Sequence, residues 1–250
     1  MVCRRTWIGW LSLVAGVFWA GTARAATPDL ALQQRAAARV PVHALPDQLR
    51  ERVRQVLDEP TLFAHGPAEA FSGKPDFYIW LLDHPDRGVV AWRRLGARCQ
   101  PVTPRGDGTF AWSDSHGSEI CWQTAYNNET LRVWYAHGKV RPGLLLPPVP
   151  VQIVVVLRHG KRADGAEQFL LFHQADVFLQ TDSKTAAVTT KMLGGSGPRI
   201  AEQCLAQLET FFSGLVWYID HHPERAELLL AEKEDRPKAT ARQSHSGGSN

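Results

Sequence analysis

The segment whose residue types are best suited to chemistry is Val156-Leu157-Arg158-His159-Gly160-Lys161-Arg162. A β-branched run ends there in an imidazole flanked by guanidinium groups. An imidazole can attack phosphorus as a nucleophile, and arginines neutralise phosphate oxygens as charge builds on them. His221-His222 is the next candidate, as a metal ligand pair. Adjacent residues on a helix point about 100° apart, so the two rings serve one metal ion poorly, and no His-x-x-x-His spacing accompanies them. Asp220-His221-His222-Pro223 reads better as a helix end, where His suits the dipole. Asp83-His84-Pro85 reads in the same way as a corner between helices. No Gly-x-Ser-x-Gly elbow is present. Gly194-Gly195-Ser196-Gly197 lacks the Lys-Ser/Thr ending of a phosphate loop, and reads as a C-cap joined to an N-cap. No metal or cofactor is expected.

Arg158, His159, Gly160 and Arg162 resemble the signature of the histidine phosphatases, and the resemblance implies a His159 nucleophile served by the two arginines. The context departs from that family, whose motif opens its catalytic domain and is followed by a helix. Here a long stretch of chain precedes the motif, and a polar turn and a further strand follow it. Arg158 to Asp164 is therefore expected to be a charged hairpin loop, and an enzymatic role is the lesser reading.

Aromatic side chains are the stronger clue. Trp112, Trp122, Trp134, Tyr126 and Tyr135 fall in one strand-rich region. Large amphipathic rings suit both sheet cores and ligand cavities. Trp112, Trp122, Tyr126 and Tyr135, with Phe211 from a C-terminal helix, are the expected ligand-binding residues. Trp134 has the opposite parity to Leu131, Val133 and Tyr135, so it faces away from them, toward solvent, another element or a partner.

The elements that must position these residues follow from the period of the apolar pattern. Leu49, Val53, Val56 and Leu57 share one face of a helix that Asp47 can cap and Pro60 ends. Asp76 to Leu82 and Asp86 to Leu95 read as two more short helices, the second followed by Gly96. The period then changes to two. Gly106-Asp107-Gly108 and Asn127-Asn128 are turns in an antiparallel meander of roughly five to seven strands. Val151 to Leu157 is a β-branched run expected to be buried on both faces, and Gln168 to about Gln180 is another strand. Asp182 can cap a short helix. A long helix beginning near Pro198 carries Ile200, Cys204, Leu208, Phe211, Leu215 and Ile219 on one stripe, and Pro223 interrupts it.

Short N-terminal helices, an antiparallel β meander and a long C-terminal helix make an α+β domain over residues 45–232. Residues 26–44 read as a linker and 233–250 as a polar, disordered tail. This order of elements resembles the helix-grip, or START-like, ligand-binding domains. The resemblance implies a curled sheet that grips the C-terminal helix around an apolar cavity. Trp80-Leu81-Leu82-Asp83-His84-Pro85, Leu146-Pro147-Pro148-Val149-Pro150 and Gln180-Thr181-Asp182-Ser183-Lys184 are similar to phrases of uncharacterised secreted bacterial proteins.

The first 25 residues give the address. Arg4 and Arg5 precede an apolar run from Trp7 to Ala20, and Ala23-Arg24-Ala25 offers small residues where a signal peptidase reads. The run is shorter than the roughly 20 residues of a spanning helix, so no stable membrane span is expected after cleavage at Ala25. Arg4-Arg5-Thr6-Trp7-Ile8 leaves both general and twin-arginine export open. The formal charge of +3 resides in Arg4, Arg5 and Arg24, so the chain from Ala26 onward is neutral. A neutral domain has no general pull on polyphosphate, and no nucleic-acid partner is expected. Three cysteines follow the leader. Cys204 lies on the helical stripe, and for Cys99 and Cys121 both a bridge across neighbouring strands in an oxidising compartment and free thiols stay open. The resulting expectation is a periplasmic or secreted, non-enzymatic domain. It binds an apolar or amphipathic small molecule, a lipid among them, in a cavity between sheet and helix. The alternative is an envelope protein that assembles with a protein partner.

Overall fold

A computed structural model describes residues 30–141, 147–164, 169–181 and 197–230; side chains at 197–201 and at 204 lie outside that description. The expected leader, the proposed cap at Asp182, residues 194–196 of the glycine-rich junction and the polar tail fall outside the described residues.

Eight strands form one antiparallel sheet. They are β1 (Leu62–His65), β2 (Glu69–Ser72), β3 (Val102–Gly106), β4 (Thr109–Ser113), β5 (Glu119–Asn127), β6 (Leu131–Val140), β7 (Val149–Ala163) and β8 (Phe169–Thr181). The order is β1-β8-β7-β6-β5-β4-β3, and β2 also pairs with β8. From β3 to β8 the chain is a plain meander. Its turns obey the residues that make them: Asp107 has φ 49° between Gly106 and Gly108, both also at positive φ. The Asn128 side chain accepts from the backbone N–H of Thr130 and Leu131 and so closes the β5–β6 turn.

β1 and β2 are one edge strand broken at Gly66-Pro67-Ala68. β1 pairs Leu62 with Leu179 and His65 with Asp176, whereas β2 pairs Glu69 with His173 and Phe71 with Leu171. One extra residue has entered the edge strand, which is a β-bulge. It reverses the parity, so that His65 lies on one face of the sheet and Glu69 on the other.

Helices cover both faces. On one lie α1 (Leu30–Ala37) and α2 (Asp47–Asp58). Leu49, Val53, Val56 and Leu57 of α2 pack on Val133, Tyr135, Val154, Val156 and Phe178. The opposite face carries α3 (Pro75–Asp83), α4 (Pro85–Arg94), the long α5 (Gly197–His221) and the five-residue α6 (Ala226–Leu230). Leu205, Phe211, Phe212, Leu215, Val216 and Ile219 bury the inner stripe of α5 against Leu171, Ala175, Leu81, Leu82 and Ala91. Gly88 permits the close crossing of α4 and α5: a Cβ there would lie 3.0 Å from the Phe211 ring.

The α+β layout is as expected; two local readings are corrected and two open ones are resolved. Residues 30–44 are not a linker; they form α1 and a turn of 3-10 helix, and bury Ala36 and Val40. Arg158 to Ala163 is not a loop; β7 runs through it, paired residue for residue with β8. Cys99 and Cys121 are free thiols rather than a bridge. Trp134 takes one of the three positions open to it, half-buried against the core beneath α3–α5.

Candidate functional site

Strand pairing decides what the Arg-His-Gly segment can do. Arg158 and His159 are neighbours on β7, so their side chains leave opposite faces of the sheet. Arg158 donates to Gln174 Oε1 on the face covered by α1 and α2. His159 points to the other face and is only 4% exposed. Arg162 is exposed near the end of the strand. The three residues do not converge on a phosphate-sized space.

His159 instead belongs to a polar spine beneath α3 and α5. Its partner across the strands is His173 on β8, also buried. The Tyr78 ring lies 6.0 Å from the His159 ring and 5.8 Å from the His173 ring, centroid to centroid. The Glu69 carboxylate accepts from His173 Nε2 at 3.4 Å and from Ser213 Oγ at 2.9 Å, which leaves His173 Nδ1 to accept from the Tyr78 hydroxyl at 3.0 Å. Arg132 on β6 is 2% exposed and donates from Nη1 to Asp83 Oδ1 at 2.5 Å. The spine runs from Asp83 and Arg132 through Tyr78 and the two histidines to Glu69 and Ser213.

The bulge in the edge strand assembles its far end. It turns Glu69 toward His173, and it leaves the Ala175 N–H to be satisfied by Glu209 Oε1 of α5 at 2.7 Å. Gly66 is required opposite that carboxyl, since a Cβ there would lie 2.8 Å from Glu209 Oε1. On the other side of the same bulge, His65 Nδ1 donates to Asp176 Oδ1 at 2.5 Å, and Gln174 Nε2 donates to His65 Nε2 at 2.8 Å. Arg39, just after α1, stands 3.8 Å from the second Asp176 oxygen.

Burial dominates the electrostatics of the spine. It pushes His159 down to about 4, and the neighbouring Arg132 and His173 push the same way. Burial also lowers His173, against the pull of Glu69. Burial raises Tyr78, opposed by Arg132. Burial lifts Glu209 to about 8, opposed by the Ala175 N–H and aided by Glu69 and Asp176. His159 Nε2, Arg132 Nε and Glu209 Oε2 are buried without a hydrogen-bond partner. Tyr78, His173 and His159 are enclosed, so a substrate cannot touch them, and the Ser213 proton is committed to Glu69. Chemically the spine can hold and exchange protons internally; it holds no accessible nucleophile next to a free base.

Among the described residues, an accessible groove lies at the Asp83 end. A groove of about 410 Å³ is lined by Asp83 and His84 from the end of α3, Asp107 and Gly108 from the β3–β4 turn, and Phe110, Thr124 and Asn127 from β4 and β5. It is open to solvent. Phe110 pairs with Trp122 across β4 and β5, their rings stacked at 5.7 Å. Asp83 is half exposed while held by the buried Arg132.

The five expected ligand-binding aromatics are divided. Trp112 and Trp122 lie with Ile120 and Val151 in a cluster beyond α5, and Trp122 supports the groove through Phe110. Phe211 fills the core beneath α5. Tyr126 and Tyr135 pack on the α2 face, where the Tyr135 hydroxyl donates to Gln152 Oε1 at 2.7 Å. The histidines at helix ends follow one local rule. His84 and His221 each bond through Nδ1 to the carbonyl four residues back, Trp80 and Trp217, at 2.8 Å, and each ring stacks on that Trp. Among the described residues no three His, Cys, Asp or Glu side chains are grouped so as to hold a metal ion. Asp83 and His84 were visible as a helix corner. Glu69, Tyr78, His173, Glu209 and Ser213 carry no spacing that could have announced them.

No family model and no curated protein matches the sequence. Among solved structures, the chain is similar to a conserved protein from Geobacillus kaustophilus at 13% identity and TM-score 0.37, over 62% of this chain and 95% of that one. A protein named XoxI from Bacillus cereus gives 12% identity and TM-score 0.29, over 58% and 98%. An uncharacterised protein from Rhizobium leguminosarum gives 13% and 0.29, over 60% and 96%. Similarity at this level assigns no activity.

Proposed function

We propose that this chain is an exported, non-enzymatic domain that binds an amphipathic small molecule on the face of its sheet that carries the long C-terminal helix. The observation that carries the reading is the groove. Phe110, stacked on Trp122, lines it beside polar residues, among them Asp83, which is fixed in place by a buried arginine. That combination of apolar surface and a few oriented polar groups is what small-molecule sites use. The helix-grip resemblance supports the same face, since it calls for a ligand between a sheet and a C-terminal helix. Phe211, Leu215 and Val216 fill the space directly under α5, so the ligand is placed beside the helix rather than beneath it. The leader-like first 25 residues support export, and no described helix is long and apolar enough to cross a membrane.

The alternative role, assembly with a protein partner in the envelope, rests on Trp217 and Phe172, 45% and 47% exposed. Native mass spectrometry of the protein isolated from its producing cells separates the two. A retained mass of a few hundred daltons supports ligand binding. A retained subunit with no small molecule rejects it in favour of assembly.

A further inference from the structure

We infer that the Glu209 carboxyl is a proton-held latch that seats the first half of α5 on the bulged edge strand, and that this half lifts from the sheet as pH rises through neutral. Geometry carries the argument. Glu209 is buried, and it crosses from α5 to the place where the edge strand is interrupted. There the Ala175 carbonyl accepts from the Gly66 N–H at 2.8 Å, while the Ala175 N–H goes to Glu209 Oε1 at 2.7 Å. The other oxygen, Oε2, is buried without a hydrogen-bond partner. Gly66 seats the carboxyl closely: a Cβ there would lie 2.8 Å from Oε1 and 3.0 Å from Oε2. Among the described residues Glu209 has no ion-pair partner. The titratable groups that face it are Glu69 on β2, Asp176 on β8 and Tyr78 on α3. The two carboxylates oppose a further negative charge, Tyr78 is a neutral phenol, and burial holds His173, next along the spine, toward its neutral form. A carboxyl with one N–H, an unpartnered oxygen, no cation and two acidic neighbours keeps its proton.

A second link depends on that proton. Glu69 reaches back from β2 to α5, accepting from Ser213 Oγ at 2.9 Å and from Thr210 Oγ1 at 3.4 Å. Ionised Glu209 would set another negative charge near Glu69 in a place without water, so both links between helix and edge strand weaken together. From Phe211 onward α4 also holds the helix. Trp92 Nε1 donates to the Phe211 carbonyl at 2.9 Å, and a Cβ on Gly88 would lie 3.0 Å from the Phe211 ring. No carboxyl enters that grip, so the part that lifts is the half before it. Lifting brings Glu209 into water, where it releases its proton to solvent, and the Ala175 N–H bonds to water in place of Oε1.

The test is residue-resolved hydrogen exchange on the full chain as its producing cells process it, with each rate corrected for the intrinsic effect of pH. Glu209 ionises near 8 when seated and near 4.5 when exposed. Opening read at the amides of Ala175 and of Leu205 to Glu209 should therefore rise about thirtyfold between pH 6.5 and 9, flattening toward the upper end. The window starts at about 6.5 because below it an exposed His173 takes up a proton and drives opening in the opposite sense. Throughout, these amides should be less protected than those of Val133 and Val156, which pack under α2 and open only with the whole domain. Glu209→Gln keeps the acceptor for Ala175 and has no proton to lose, so its exchange should be flat over the window. In the wild type the carbon-13 shift of the Glu209 carboxyl should move above pH 7, which reads the latch without a variant. Opening that ignores pH, a rise that persists in Glu209→Gln, or a carboxyl already ionised at pH 6.5 overturns the inference. Protection at Ala175 and residues 205–209 equal to that of Val133 and Val156 at every pH also overturns it, since only global unfolding would then be seen.

Discussion

Glu209 and His159 sit in one buried spine and are pushed in opposite directions by the same lack of water. Glu209 titrates near 8 in the fold and near 4.5 when exposed. The folded state therefore holds a proton that the unfolded chain gives up, and stability from this group is full below about pH 4.5 and is lost as pH rises to 8. The slope is at most about 1.4 kcal/mol per pH unit. Replacing Glu209 by Gln removes that slope, so denaturant melts should show the variant gaining on the wild type across pH 4.5–8 and keeping a constant gap outside it. A gap that does not change with pH would mean Glu209 is not held protonated. His159 works the other way. It titrates near 4 in the fold and near 6.5 when exposed, so the folded state resists protonation. Its contribution is full above about pH 6.5 and is lost as pH falls toward 4. In His159→Asn that acid-side loss should be missing from the same melts, and no phosphatase activity should depend on the change. The Arg-His-Gly motif was plain in the sequence, yet its chemistry was not, because strand parity separates Arg158 from His159. The spine itself was illegible. Its members come from a bulged edge, three inner strands and two helices, and only the fold brings residues 69, 78, 173, 209 and 213 together.

Elements were more legible than sites, because apolar period survives folding while long-range contact has no local signature. The stripe of α2 and the inner stripe of α5 from Phe211 to Ile219 were readable at helical spacing, and both are buried. The broken edge strand was not. β1 and β2 have four residues each, interrupted by Gly66-Pro67, too short for alternation to be counted. α1 reads as linker because its Ala- and Arg-rich sequence has weak periodicity, although Leu30–Ala37 is made entirely of strong helix formers. At this scale the contact of α4 with α5 is the sharpest test. Phe211→Ala removes a ring buried against Trp92, Phe212 and Gly88 and should cost roughly 3–5 kcal/mol in a denaturant melt. The exposed control Glu202→Ala should stay within about 0.5 kcal/mol. Gly88→Ala puts a methyl 3.0 Å from the same ring and 3.1 Å from Leu81, an overpacking of about 1–3 kcal/mol. The two changes share one space, so the double variant should be more stable than the sum of the single losses predicts. Strict additivity would mean the crossing of α4 and α5 is looser than described.

For the whole molecule the question is where the folded domain begins relative to the leader. Three arginines and no acid precede Ala26, and the remaining chain is formally neutral, so removal of the leader also removes the excess charge. The proposed cut lies just ahead of the first described structure. α1 starts at Leu30, buries Ala36, and is followed by Val40, which is also buried, and by Arg39, which reaches toward the enclosed Asp176 carboxylate. A cut after Ala25 leaves all of these in place. A cut past Val40 would strip that contact, remove Ala36 and Val40 from the core that α2 shares with the sheet, and leave Asp176 with His65 alone. Burial and charge pairing set only the downstream limit of such a cut, ahead of Ala36; the Ala-x-Ala sequence alone is the ground for proposing it after Ala25. N-terminal sequencing of the exported protein should read Ala26-Thr27-Pro28. A chain engineered to start at Leu45 should lose several kcal/mol in a melt, because apolar surface and a buried carboxylate are uncovered together. A mature form that retains Trp7 to Ala20 would make the first segment an anchor, and a truncated chain as stable as the mature one would mean that α1 adds nothing to the fold.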